Sequence, residues 1–190
     1  MPRHFTLAQV DAAAAMLHAG GVLAYPTEAV FGLGCDPGDQ RAFERLFALK
    51  QRPPTQGVLL IAAAFEQVVP YVDFQAVPAP ILRQVQASWP GPVTWILPRA
   101  AAVPAWVVGH HVGIALRVTA HPPAAALCRA FGGALVSTSA NRHGQPPARA
   151  VRDIQDYFGE ELDGLLDAPL GGLATPSVIR DALSGAIVRG

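Results

Sequence analysis

The stretch PPAAALCRAFGGALVSTSAN, residues 122–141, decides the fold class of this chain. Residues 122–131 predict a helix, and the apolar run that follows, residues 134–137, predicts a strand leading into hydroxyl side chains. The same alternation recurs elsewhere. Helices are predicted over residues 7–18, 39–50, 80–88 and 150–158, and strands over 22–25, 58–62, 93–97, 113–118, 177–181 and 186–189. Alternating helices and strands indicate an α/β fold, and their irregular spacing favours an open, mixed sheet with flanking helices over a parallel one.

Composition narrows the class of protein. The 190 residues are expected to form a single domain, 1–190, with a sizeable core. Only 15% are charged, against roughly 25% in typical globular proteins, and 51% are hydrophobic, which argues against disorder. Fourteen basic and 14 acidic residues give a formal net charge of zero, so no overall basic field exists to attract nucleic acid. A local basic patch is still compatible with this composition.

The two cysteines suggest neither a metal site nor a disulfide. Cys35 and Cys128 lie far apart and outside any CxxC pair. Two free thiols suit a reducing cytosol. No apolar run reaches the roughly 18 residues of a membrane span. We therefore expect a cytoplasmic protein that has no membrane contact and no metal of its own.

Lysine and asparagine each occur once in this sequence. Lys50 stands in the segment LKQRP beside Arg52, and Asn141 ends the segment STSAN. The other 13 basic residues are arginines, so a lysine retained here indicates a place that needs a compact ammonium group. Lys50 and Arg52 together would clamp a triphosphate, although a cation that simply caps a helix end is the alternative.

Three further segments place polar side chains where ligands bind in α/β sheets. Thr27 and Glu28 follow a predicted buried strand, where ligand contacts and a simple turn are about equally favoured. The hydroxyls and amide of residues 137–141 are typical of a phosphate or adenosine site more than of a simple Ser/Thr turn. Arg117 lies in an apolar strand, so it pairs either with a buried acid or with an anionic ligand.

Several common catalytic motifs do not occur. The sequence has no GxxxxGK[ST], no GxGxxG and no GxSxG. P-loop, Rossmann and α/β-hydrolase chemistry are therefore not predicted. The adjacent histidines His110 and His111 are expected in a solvent-exposed loop, and His121 is expected to cap the helix that begins at Pro122.

At these residues the chain resembles the YrdC-like family of threonylcarbamoyl-AMP synthases, in its short, bacterial, single-domain form. The resemblance runs nearly the whole length and rests on seven motifs in order. They are YPTE at 25–28 with Gly32 and Gly34, LKQRP at 49–53, WPGPVT at 89–94, LRV at 116–118 with HP at 121–122, STSAN at 137–141, PS at 176–177 with Asp181, and VRG at 188–190.

The resemblance implies a twisted mixed sheet around a positively charged concave groove. It also implies the synthesis of threonylcarbamoyl-adenylate from L-threonine, bicarbonate and ATP, with release of pyrophosphate. ATP would be a substrate that brings its own Mg²⁺. Partner proteins would transfer the product to the adenosine next to the anticodon of tRNA. Binding of tRNA or double-stranded RNA would also be in keeping with the family.

The same resemblance implies roles for ten residues. Lys50 and Arg52 would be catalytic and hold the phosphates, Thr27, Arg117 and Ser177 would bind threonine, and the remaining nucleotide contacts would come from Thr94, Ser137, Ser139, Asn141 and Arg189. Two positions depart from the family pattern. Ile61 stands where longer members carry a histidine that contacts threonine, and His143 stands where a serine is frequent.

Two other functions compete with the synthase. A YrdC-like module that docks on structured RNA is the alternative, and the neutral net charge argues mildly against it. Carbamoyl-adenylate chemistry in hydrogenase maturation belongs to much longer multidomain chains. Pyrophosphate release that requires threonine and bicarbonate would separate the synthase from both.

Overall fold

Ten strands and six α-helices occur in residues 2–53 and 56–189, the parts of the chain that the computed structural model describes. The strands are β1 (Arg3–Phe5), β2 (Leu23–Pro26), β3 (Phe31–Gly34), β4 (Leu59–Ala62), β5 (Val93–Pro98), β6 (Gly113–Val118), β7 (Leu135–Ser139), β8 (Gly164–Leu166), β9 (Val178–Asp181) and β10 (Ile187–Arg189). The helices are α1 (Val10–His18), α2 (Gln40–Lys50), α3 (Ala79–Ala87), α4 (Ala105–Val108), α5 (Pro122–Phe131) and α6 (Val151–Phe158).

The strands form one mixed sheet in the order β1-β8-β2-β3-β7-β4-β6-β5-β9-β10. The pairs β1–β8, β2–β8, β4–β6 and β5–β9 are parallel, and the other pairs are antiparallel. The expected open mixed sheet with flanking helices is confirmed. None of the helices in the described residues is long and apolar enough to cross a membrane.

Local chemistry explains where the helices begin and end. Asp39 caps α2, because its Oδ1 accepts hydrogen bonds from the N–H groups of Arg41 (2.9 Å) and Ala42 (3.1 Å). Gly20 follows α1 with φ +83°, a left-handed conformation that ends a helix readily when the residue is glycine. The helix predicted over residues 7–18 starts as a 3₁₀ turn at Leu7–Gln9 and becomes α-helical at Val10.

Two expectations about the strands need correction. The sequence predicts no strand over residues 31–34, but Thr27 to Val30 form the turn of a β2–β3 hairpin, and Gly32 and Gly34 lie inside β3. The strand before STSAN does not stop at Ser137. It continues to Ser139, because Ser139 pairs with Gly32 of β3. The hydroxyls of this segment therefore project from a strand end.

The alternation along the strands divides the core into two layers. Ala24, Leu60 and Val136 face one layer, in which they pack with residues of α2 such as Phe43. Leu23, Tyr25, Ile61 and Leu135 face the other layer, in which they pack with α1 and α5. On the same face of the sheet, the next residue pair after Ile61 and Leu135 consists of Leu59 on β4 and Ser137 on β7, which lie opposite each other. There the sheet is open.

Candidate functional site

A cavity of about 510 Å³ lies on this open part of the sheet. Its volume falls within the roughly 300–1,000 Å³ of small-molecule sites. One cross-strand row forms the floor: Ser137 pairs with Leu59, Leu59 with Ala115, Ala115 with Ile96, and Ile96 with Asp181. All five residues line the cavity. Sheet register therefore positions side chains from five strands.

The structure brings most of the predicted site residues to this cavity. Six of them line it: Thr27, Arg52, Arg117, Ser137, Ser139 and Ser177. Lys50, Thr94 and Asn141 lie directly behind the lining residues. Arg189 ends β10, but its side chain and Gly190 lie outside the described part of the chain.

Lys50 supports the turn after β7 from behind. Its Nζ donates hydrogen bonds to the carbonyl of Ser139 and to that of Asn141 (3.0 Å), and its own carbonyl accepts one from the N–H of His143 (2.8 Å). Only 4% of the residue is exposed. Burial, and secondarily the charge of Arg52, lowers the pKa of Lys50 to about 7. The ammonium form of Lys50 therefore costs free energy at this buried position inside the turn.

Arg52 lies at the wall of the cavity and is held by neutral groups. Its guanidinium donates to Gln56 Oε1 (2.9 Å) and to the carbonyls of Gln56 (2.6 Å) and Gly57 (3.0 Å). Its Nη1 lies 3.4 Å from Thr138 Oγ1. Burial lowers the pKa of Arg52. Within residues 2–53 and 56–189, neither Arg52 nor Lys50 forms an ion pair with a carboxylate. Within the described residues, therefore, no carboxylate neutralises the positive groups of this end of the cavity, here called the cationic end.

Asn141 organises the turn with its side-chain amide. Ser139 Oγ donates to Asn141 Oδ1 (2.6 Å), and Asn141 Nδ2 donates to the carbonyls of Arg142 (2.9 Å) and Gln145 (2.8 Å). These bonds use both ends of the amide within the protein. The only asparagine of the sequence therefore fixes the shape of the turn that presents Ser139.

The opposite end of the cavity, here called the paired end, contains a buried ion pair. Arg117 Nη2 lies 3.2 Å from Glu28 Oε2, and Thr119 Oγ1 donates to Glu28 Oε1 (2.6 Å). Arg117 is 5% exposed and Glu28 8%. The sequence left a buried acid and an anionic ligand as alternatives for Arg117. The structure supplies the acid, and it also places Arg117 in the cavity wall.

Three hydroxyls lie among the residues that surround the paired end. Thr27 Oγ1 donates to the carbonyl of Val30 (2.7 Å), which orients the hydroxyl within the hairpin turn. Ser177 lines the cavity, and its Oγ lies 3.1 Å from Thr94 Oγ1. Thr94 itself is completely buried. The buried hydroxyl of Thr94 therefore orients the hydroxyl of Ser177.

A segment without regular structure, residues 167–177, crosses over the paired end and is here called the strap. Gly171 N–H donates to the carbonyl of Thr27 (3.0 Å), and Leu173 N–H donates to that of Glu28 (2.9 Å). A Cβ at Gly171 would lie 2.8 Å from Glu28 Cα and 3.1 Å from His121 Nδ1. Glycine is thus required for this approach.

His121 does not cap α5 as expected. It occupies the N-cap position, but its side chain makes no capping hydrogen bond. The ring is instead buried beside the strap, near the backbone carbonyl of Pro169. Burial lowers the pKa of His121. The prediction failed because tertiary contact with the strap draws the ring away from the helix end.

Several residues of the cavity wall have no predicted ligand role: Gln56, His111, Thr138 and Asp181. For Glu28 the sequence left ligand contact and a simple turn open. Its pairing with Arg117 had a signal, because Glu28 is the only charged residue between Val22 and Cys35 and an arginine in an apolar strand requires an acid. His111 is exposed in a loop, as expected, but that loop reaches the rim of the cavity. Local sequence gave no indication of that position.

Comparison with known proteins identifies the family of this chain. The family model Sua5_yciO_yrdC, described as "Telomere recombination", matches residues 15–189. A threonylcarbamoyl-AMP synthase of Alkalilimnicola ehrlichii is 54% identical over 179 residues, which are 93% of this chain and 92% of that protein. One of Halorhodospira halophila is 55% identical over 181 residues, 95% of this chain and 94% of that protein.

A solved structure agrees as well. The crystal structure of P. abyssi Sua5 complexed with L-threonine superimposes with a TM-score of 0.87 at 26% identity. The superposition covers 95% of this chain and 54% of the P. abyssi protein, so this chain spans about half of that longer protein. On the family model and the identities to these relatives, the chain belongs to the Sua5/YciO/YrdC family.

Proposed function

We propose that this protein is a threonylcarbamoyl-AMP synthase, which joins L-threonine, bicarbonate and ATP into threonylcarbamoyl-adenylate and releases pyrophosphate. The observation that carries the proposal is one cavity with two differently charged ends. Arg52 and the buried Lys50 leave the cationic end positive, whereas Glu28 neutralises Arg117 at the paired end. Relatives more than half identical over nearly the whole chain carry the name of this enzyme.

The chemistry needs no nucleophile from the protein. The α-ammonium group of threonine first loses a proton, and the resulting amine attacks bicarbonate to give a carbamate and water. A carbamate oxygen then attacks the α-phosphorus of ATP, and pyrophosphate leaves. Such transfers depend on alignment of the reactants and on neutralisation of developing charge. A rigid sheet floor with cations at one end supplies both.

At the cationic end, Arg52 contacts the phosphates, and Lys50 adds its charge from behind the turn. Ser137 and Ser139 bind the α-phosphate and adenosine side, and Asn141 holds the turn that presents Ser139. A phosphate contact from Arg189 is implied by the family resemblance alone, because its side chain lies outside the described part of the chain. Lys50 thus acts in two ways. Its hydrogen bonds fix the turn, and its ammonium group, which the negative phosphates of bound ATP keep protonated, offsets the charge of the leaving pyrophosphate.

At the paired end, Arg117 holds the carboxylate of threonine. Thr27 and Ser177 bind its side-chain hydroxyl or amino group, and Thr94 orients Ser177. Ile61, the position of the histidine of longer family members, is fully buried in the layer under α1 and α5. Threonine binding in this chain therefore depends on the residues that line the cavity.

Mg²⁺ enters the site on the phosphates of ATP. The residues that the structure describes contain no group of three or more His, Cys, Asp or Glu side chains that could hold a metal. Mg²⁺ generally binds in proteins through substrate phosphates and water. Partner proteins then transfer the threonylcarbamoyl group to tRNA in the cytoplasm.

The test is pyrophosphate release by the purified protein from ATP and Mg²⁺, with and without L-threonine and bicarbonate. We expect release only when both co-substrates are present. Release without threonine would indicate another amine substrate or simple ATP hydrolysis. No release under any combination, together with tight binding of tRNA, would replace the synthase with an RNA-binding module.

A further inference from the structure

Three buried side-chain atoms at or beside the paired end have no hydrogen-bond partner within the described residues: Arg117 Nε, Glu28 Oε2 and His121 Nε2. His121 is not among the residues that line the cavity, whereas Arg117, which offers a donor, and Glu28, which offers an acceptor, both line it. Buried polar atoms are almost always hydrogen-bonded, and exceptions require an explanation. Both residues line the cavity, so a ligand can provide the partners.

The rest of each side chain is fixed. Glu28 Oε1 accepts the hydrogen bond from Thr119 Oγ1 (2.6 Å), and Glu28 Oε2 faces Arg117 Nη2 across 3.2 Å in an ion pair. Thr119 is itself buried and bonds through its hydroxyl to the N–H of His121 (3.0 Å). The two unsatisfied atoms therefore belong to a preorganised pair, which costs little to order when a ligand arrives.

A ligand that satisfies both atoms must offer an acceptor and a donor close together, and charged groups do this most strongly. A carboxylate accepts from the guanidinium, and an ammonium group donates to the carboxylate of Glu28. The head group of an α-amino acid carries these two groups on one carbon. We propose that Glu28 binds the α-ammonium group of the substrate, so that Glu28 and Arg117 together recognise an amino acid as a zwitterion. This inference rests on the proposed synthase function and adds Glu28 to its substrate-binding residues.

The same pair discriminates against the other substrate. A phosphate placed against Arg117 would lie next to the carboxylate of Glu28, and juxtaposed like charges are costly in a site shielded from solvent. Within the described residues, no carboxylate oxygen lies within 4.0 Å of the side-chain nitrogens of Lys50 or Arg52. Glu28 therefore directs the polyphosphate away from the place where the amino acid must bind.

The first test uses the unmodified protein and three ligands. Binding of L-threonine, of (R)-3-hydroxybutyrate, which lacks the amino group, and of L-threonine amide, which lacks the carboxylate, is measured by calorimetry. We expect L-threonine to bind roughly 10- to 100-fold more tightly than either analogue, the range expected for a lost hydrogen bond to a charged group. Equal binding of L-threonine and (R)-3-hydroxybutyrate would overturn the inference.

The second test assigns the ammonium contact to Glu28. In Glu28→Gln the preference for L-threonine over (R)-3-hydroxybutyrate should fall to within about threefold, because the charged hydrogen bond is lost. The matched control is Thr119→Val, which removes the other hydrogen bond of Glu28 but leaves its charge, so it should retain most of the preference. A merely structural role would make both variants lose affinity for all three ligands alike, and that result would overturn the inference.

The outcomes separate this inference from the proposed function. If the unmodified protein releases pyrophosphate with threonine but shows no preference for the ammonium group, the synthase stands and the inference fails. If it neither binds threonine nor releases pyrophosphate, both fail. Thermal unfolding of Glu28→Gln is recorded first, and if that variant does not fold, the three-ligand comparison on the unmodified protein decides.

Discussion

The two ends of the cavity hold their arginines in opposite ways. Arg52 is held by carbonyl and amide oxygens at 2.6–3.0 Å, whereas Arg117 is held by a carboxylate at 3.2 Å. Carbonyl dipoles orient a guanidinium without cancelling its charge. A carboxylate orients it and cancels the charge. The kind of partner, more than the arginine itself, therefore decides whether a site binds an anion or a zwitterion.

This difference suits a reaction between two unlike substrates. A polyphosphate carries several negative charges and requires cations that remain uncompensated. An amino acid is neutral overall and requires both signs close together. The floor row from Ser137 to Asp181 joins the two ends on one rigid sheet, so the amino group and the phosphorus can be aligned with little loss of entropy at the moment of reaction.

The largest expected difference between the two ends is in stability. Arg117→Gln leaves the carboxylate of Glu28 buried without its partner, so the free energy of unfolding should fall by about 3–5 kcal/mol. Arg52→Gln removes no ion pair and should cost about 1 kcal/mol or less. Urea denaturation of both variants measures the contrast. Equal losses would mean that the two arginines are held in equivalent environments.

The next effect is on catalysis at the cationic end. Lys50→Ala should lower kcat roughly 10²–10³-fold, the usual cost of one preorganised charge-stabilising donor. Lys50→Arg should not restore the rate, because a planar guanidinium does not fit the place of an ammonium group between the carbonyls of Ser139 and Asn141. The control is Arg152→Ala, since Arg152 forms only an exposed pair with Asp156. A fully active Lys50→Ala enzyme would remove Lys50 from the mechanism.

A smaller effect concerns pH. Burial lowers the pKa of Lys50 to about 7, whereas a lysine in the unfolded chain titrates at about pH 10. Between these two pH values the native protein therefore binds one proton fewer than the unfolded chain. Stability contributed by this group therefore rises with pH. The difference in free energy of unfolding between the unmodified protein and Lys50→Met should grow by about 1 kcal/mol from pH 7 to pH 8. A constant difference would show that Lys50 stays charged.

The comparison with Lys50→Met is needed because the titration of other groups makes stability fall, not rise, as the pH increases. Burial raises the pKa of Cys128 to about 12 and also raises those of Cys35 and Tyr25. In the unfolded chain these groups lose protons from about pH 8.5 upward, so their contribution to stability falls there. Subtracting the variant removes this common part and leaves the effect of Lys50.

The smallest expected effect is that of salt. Raising the ionic strength from about 0.05 M to about 0.5 M shortens the screening length several-fold and should weaken binding of pyrophosphate several-fold. Binding of L-threonine at the buried, neutral paired end should change by less than about twofold. Calorimetry at both salt concentrations tests this. Equal salt dependence would mean that the paired end carries net charge.

The sequence predicted the elements whose apolar side chains are buried in a regular pattern, such as α5 and β6. It missed β3, because Gly32 and Gly34 lower the strand propensity of that segment. The structure explains these glycines: a Cβ at Gly34 would lie 2.5 Å from the carbonyl oxygen of Val136. The close approach of β3 to β7 is a tertiary requirement, which a local pattern does not reveal. The three-residue strands β1 and β8 are too short to show any period.

The candidate site was predictable in composition but not in arrangement. The motifs identified Arg52, Arg117 and the hydroxyls that now line the cavity. The position of Lys50 behind the turn depends on carbonyls 89 and 91 residues further along the chain. The Glu28–Arg117 pair likewise joins distant segments. Spacing within a motif carries no information about such contacts.

The floor row also bears on how the protein is made on the ribosome. Synthesis delivers the chain from the N-terminus, and β9 supplies the last member of the row, Asp181, by pairing with β5. Until then β5 presents an unpaired backbone edge and the row stops at Ile96. A nascent chain shorter than this has no complete substrate cavity, so threonine and ATP can stabilise only chains that have passed residue 181.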